Sequence, residues 1–101
     1  MKKLSMIVHS SLQQELADCL RDLKLETFMF THLEEHSAQL ENDTFLSARD
    51  KVVGYVPQVR VDIILENDRS QSLLQQIREQ NLPFKSKGTY WLTELDDYGE
   101  L

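Results

Sequence analysis

Apolar and polar residues alternate most regularly from Val59 to Leu65, with Val59, Val61, Ile63 and Leu65 on one side and Arg60, Asp62 and Ile64 on the other. A period of two in a run rich in β-branched residues predicts a half-buried strand. Upstream, Leu4 to His9 alternates loosely, with Leu4, Met6 and Val8 opposite Ser5, Ile7 and His9, and predicts a first strand with apolar residues on both sides. Ser10 and Ser11 then offer capping oxygens, and Glu15 places negative charge in a first helical turn. Leu12, Leu16, Cys19, Leu20 and Leu23 follow helical spacing, while Gln13, Gln14, Asp18, Arg21 and Asp22 face water. Thr27 to Glu34 is aromatic and β-branched, with Phe28, Phe30 and His32 opposite Met29, Thr31 and Leu33, and predicts a second strand.

Downstream of the Val59–Leu65 strand, Asn67 and Asp68 offer a cap for a second helix from near Arg69, whose inward stripe is Leu73, Leu74, Ile77 and Leu82, with Pro83 ending it. Lys85 to Gly88 is a polar turn. Thr89 to Leu95 is the fourth strand, with Trp91, Thr93 and Leu95 opposite Tyr90, Leu92 and Glu94. The acidic stretch from Asp96 onward predicts a frayed end.

Strand, helix, strand, strand, helix, strand is the ferredoxin-like βαββαβ arrangement, an α+β fold with both helices on one face of a four-stranded antiparallel sheet. In one register the other face carries Ile7, Met29, Leu33, Ile64 and Tyr90 or Leu92, mixed with Ser5, Thr31, Arg60 and Asp62. A contiguous apolar patch of that kind marks an interface, and closed rotational symmetry is the usual way soluble chains satisfy one. Residues 35–57 form a connection unusually long for a small domain unless it serves a purpose.

The chain of 101 residues and 41% hydrophobic content is expected to be one domain, 1–101, with one modest core. Its formal charge of −6, from 17 acidic and 11 basic residues, disfavours nucleic acid, whose affinity comes mainly from clustered Lys and Arg. One cysteine forms no disulfide within a chain and suits a reducing compartment. The apolar run after the basic start breaks within a few residues, and no run approaches the ~20 residues that span a bilayer. The expectation is a cytoplasmic protein with neither nucleic-acid binding nor membrane insertion.

Candidate chemistry is sparse. His32 and His36 stand four apart with Glu34 and Glu35 between them. On a helix they would share a face for zinc or copper(II), whereas on a strand about 13 Å separates them unless the chain turns. Cys19 sits among leucines and reads as a small hydrophobe, Met6 and Met29 as filler, and His9 as a partner for a helix terminus. Leu46, Ala48, Val52 and Val53, inside a polar loop that also holds Ser47, Arg49 and Asp50, predict a short helix or docking surface, and Gly54 permits a positive φ before the third strand. No nucleophile with a visible base and no glycine-rich turn after a strand appears, so catalysis is not expected.

The element order, the long connection, and the run Phe45-Leu-Ser-Ala-Arg-Asp-Lys-Val-Val-Gly54 followed by Val59-Arg-Val-Asp-Ile-Ile-Leu65 resemble a family of short PII-like proteins often encoded beside heavy-metal efflux pumps of the resistance-nodulation-division type. The resemblance implies a ferredoxin-like homotrimer similar to PII and CutA proteins. It implies a role in regulation linked to heavy-metal efflux or of the nitrogen type, with the loop (Leu46, Ser47, Ala48, Asp50, Val52 and Gly54) reaching a partner such as the pump. The chain departs from PII proteins in the turn Leu65-Glu-Asn-Asp-Arg69, which has no glycine to cradle phosphate and carries two acids. Lys85, Lys87 and Gly88 remain as anion-binding candidates, and the cofactor is left unassigned. The alternatives are an accessory protein that binds a divalent ion and an interaction module without a ligand.

Overall fold

The computed structural model describes residues 1–38, 48–84 and 88–101. Its elements are β1 (Lys2–His9), a 3-10 turn (Ser10–Leu12), α1 (Gln13–Asp22), β2 (Met29–Glu35), α2 (Ala48–Val53), β3 (Val56–Leu65), α3 (Asn67–Glu79) and β4 (Thr89–Glu94). The four strands form one antiparallel sheet in the order β2-β3-β1-β4. This is the ferredoxin-like α+β arrangement.

Alternation sorts the strands into two faces. On one, Leu4, Met6 and Val8 of β1 and Val59, Val61, Ile63 and Leu65 of β3 are buried, and the apolar stripes of α1 (Leu16, Leu20) and α3 (Leu73, Leu74, Ile77) complete the core above them. Phe28 and Phe30 close the β2 side of that core, edge to face with ring centroids 6.0 Å apart. Ser70 is the one polar residue buried on α3, and its hydroxyl donates back to the carbonyl of Asn67 at 2.9 Å, so no bond is left unmade.

Several local expectations are corrected. The first helical turn is capped by a ring rather than by Ser10 or Ser11: His9 precedes the 3-10 turn and its Nδ1 accepts the Ser11 N–H at 3.1 Å. Asn67 and Asp68 do not cap α3, because Glu66 holds the cap position in extended backbone and gives no side-chain bond. Nor does Pro83 end that helix. It stops at Glu79, and the chain turns through Asn81 in the left-handed region at φ 54°, much as α1 gives way to Lys24 at φ 65°.

The fourth strand lies in the other register. Met6 pairs with Tyr90, Leu4 with Leu92 and Ser5 with Trp91, and directly opposite residues share a face. Tyr90 and Leu92 therefore belong to the helix side, and Trp91 to the open side. On β1, β2 and β3 the predicted division holds: Ile7, Met29, Leu33 and Ile64 share the open side with Ser5, Thr31, Arg60 and Asp62.

Candidate functional site

The open face is a mixed surface with a buried polar centre. β1 is an inner strand, so its neighbours cover Ser5 completely. The Ser5 hydroxyl donates to Asp62 Oδ1 at 2.7 Å, and Arg60 Nε donates to Asp62 Oδ2 at 3.0 Å. One carboxylate thus satisfies a buried hydroxyl and a half-buried guanidinium at once. Around this triad Ile7, Leu33 and Ile64 are half-buried, while Met29 is 58% and Trp91 39% exposed.

At one end of the sheet lies the root of the long connection. α2 is tied there by Asp50, only 4% exposed, whose Oδ2 meets His9 Nε2 at 2.6 Å. His9 Nδ1 takes the Ser11 N–H, so it carries no proton itself, and the proton on Nε2 points at Asp50. The contact is a short hydrogen bond between the ring and the carboxylate. Ser11 Oγ also lies 2.9 Å from Nδ1. The grouping has the parts of an acid, base and nucleophile, but Nδ1 is already engaged by the backbone it caps. It holds α2 against the end of β1.

The neighbouring β2–β3 end repeats the device. Gln58, buried on the open side, donates from Nε2 to the carboxylate of Glu35, while its Oε1 is buried with no hydrogen-bond partner among the described residues. His36 sits 3.2 Å from Glu34 Oε1, with its ring centroid 5.8 Å from that of Tyr55. Gly54 then turns the chain into β3 at φ +83°, as its position predicts, and its N–H closes α2 on the carbonyl of Asp50 at 3.1 Å. Val52 and Val53, next to this turn, are 86% and 48% exposed.

The candidate residues fall out as follows. Of the loop set, Ala48, Asp50 and Val52 are on α2 and Gly54 follows it; Leu46 and Ser47 lie outside the described residues. His32 and His36 are not brought together. His32 is exposed opposite Val59 on the helix side of the edge strand β2, and His36 lies beyond the strand end against Glu34 and Tyr55. Among the described residues no group of three or more His, Cys, Asp or Glu is placed to hold a metal ion. Lys85 and Lys87 lie outside the described residues. Gly88 packs against the Phe84 ring, where an added Cβ would come within 3.3 Å of Cγ. Cys19 is buried, and burial pushes its thiol pKa up, with the Asp22 carboxylate adding to the shift.

Sequence reasoning missed the His9–Asp50 and Glu35–Gln58 links. Each joins residues far apart in the chain, and only strand pairing brings their ends together. No helix among the described residues is long and apolar enough to cross a membrane.

A crystal structure of a DUF3240 family protein from Shewanella baltica superposes on this chain with a TM-score of 0.70 at 17% identity, covering 99% of this chain and 94% of that one. At that identity the likeness shows the shared fold. No curated protein matches the sequence. A family model described as "Protein of unknown function (DUF3240)" matches residues 1–101.

Proposed function

We propose that this chain, which belongs to the DUF3240 family, is a non-catalytic subunit of a cytoplasmic homotrimeric regulator of the PII kind. In this reading three sheets meet through their open faces, and the connection between β2 and β3 reports a bound small ligand to a protein partner. The partner class is a heavy-metal efflux pump, as the resemblance in sequence implies. The observation that carries the reading is the open face itself: Met29, Trp91, Ile7, Leu33 and Ile64 surround a polar triad that is already satisfied within the chain.

Such a surface associates well, because covering it removes apolar area from water without stranding a charge. The root of the connection supports the second half of the reading. His9–Asp50 fixes α2 to the sheet end and leaves Val52 and Val53 outward, where a partner can meet them. The turn from Leu65 to Arg69 leads straight into α3 with Asp68 in its first helical turn, a poor place for phosphate. The ligand is therefore not held as PII proteins hold nucleotide.

Native mass measurement at micromolar concentration tests the assembly. Three chains are expected for the wild type and one for Ile64→Asp. A wild-type monomer overturns the assembly. Pull-down with and without residues 37–53 tests the reporting role, and a partner retained after that deletion sinks it.

A further inference from the structure

A second concavity lies on the helix side, away from the open face and from α2. α3 ends over the strand pair β1–β4, and β4 is an edge strand with no further strand beside it among the described residues. The result is a cavity of about 430 Å³. Its floor is Met6 and Val8, its helical wall Leu74 and Ile77, all buried, and Phe84 and Tyr90 stand at its sides. The volume is within the roughly 300–1,000 Å³ typical of small-molecule sites.

Among the described residues one charged side chain lines this apolar space. Arg78, exposed in the last turn of α3, lies with its guanidinium carbon 5.4 Å from the centroid of the Tyr90 ring. A cation there suits the helix end and the ring face. Its donors, however, meet no carboxylate within ion-pair distance among the described residues. A planar fork of N–H groups, free of an acid and set at the mouth of a greasy cleft, matches a carboxylate carried on an apolar body. An amine would be repelled by Arg78, and a neutral apolar molecule would leave the fork unused.

We propose that this cleft binds a small amphipathic carboxylate, its apolar part against Met6, Val8, Leu74 and Ile77 and its carboxylate on Arg78. The proposal deepens the small-ligand half of the function given above and rests on that reading only there; the cleft is built within one chain and stands whether or not copies assemble.

The test uses octanoate and octanamide, equal in apolar body and different in charge, titrated by calorimetry into the full chain, into Arg78→Gln and into Arg78→Lys. Arg78 is exposed, so neither change threatens folding. Octanoate is expected to bind at least tenfold more tightly than octanamide. Arg78→Gln should bring the two probes level, and Arg78→Lys should restore part of the preference. No octanoate binding at millimolar concentration, equal binding of the two probes to the wild type, or a preference that survives in Arg78→Gln would each overturn the proposal. Native mass on the same samples separates the two claims: octanoate-binding monomers sink the assembly and leave the cleft, whereas trimers without binding do the reverse.

Discussion

The two faces of the sheet are made by the same four strands and differ in what lies opposite them. On the helix side the inward residues from Leu4 to Val8 of β1 and from Val59 to Leu65 of β3 are apolar, and two amphipathic helices cover them. On the open side apolar residues alternate with a Ser5–Asp62–Arg60 triad that satisfies its own hydrogen bonds. The first face gains its stability inside the chain. The second has a polar centre satisfied within the chain and apolar side chains, Met29 and Trp91 among them, left exposed.

The contrast is broken most severely from the helix side. Leu16 is fully buried under the sheet, and Leu16→Ala should lower unfolding free energy by about 2–5 kcal/mol, measured by denaturant titration. On the open side Asp62→Ala leaves the Ser5 hydroxyl buried without an acceptor and Arg60 without its partner, and is expected to cost about 1–3 kcal/mol by the same measurement. A loss no greater than that of an ordinary surface change would mean that the triad is not the polar anchor of this face.

Smaller effects sharpen the comparison. Ile64→Thr trims a half-buried side chain, and in a single chain it should cost about 1 kcal/mol or less. It should nonetheless shift native mass toward the monomer. Equal stability loss for Leu16→Ala and Ile64→Thr in the monomer would erase the distinction between the faces.

The smallest test concerns Cys19, buried on the inner side of α1. Its thiol is raised above the ordinary value of 9.0 by burial and by Asp22, so the folded state favours the neutral form. The resulting stabilisation is full below about pH 9 and is lost as pH rises through the raised folded-state value. Native chain at pH 8 should accordingly react with a disulfide reagent at least tenfold more slowly than unfolded chain. Equal rates would place the thiol outside the core.

Much of the fold was legible because two periodicities carry it. β3 alternates so cleanly that its inward set can be named from the chain alone, and the Leu16–Leu20 and Leu73–Leu74–Ile77 stripes mark their helices. β4 resisted because Tyr90, Trp91 and Leu92 are consecutive and all apolar, so alternation could not choose a face. Pairing of Ser5 with Trp91 chose it. His9 was legible as a partner for a helix terminus, but its precedence over the serines and its link to Asp50 were not. Serine oxygens are the usual local caps, whereas the ring is held in place by Asp50, which arrives from the far end of the long connection. The Arg78 cleft likewise had no linear signature, since its floor comes from β1 and its wall from α3.

The position of β1 has a temporal consequence. β1 lies between β3 and β4, with Lys2 opposite both Leu65 and Glu94, so both of its neighbours are made after it. Pairings between such remote segments must close long loops before they return any energy, which slows folding. Until residues 89–94 arrive, β1 has one bare margin, and a nascent chain on a crowded ribosome has a strong incentive to be shielded there.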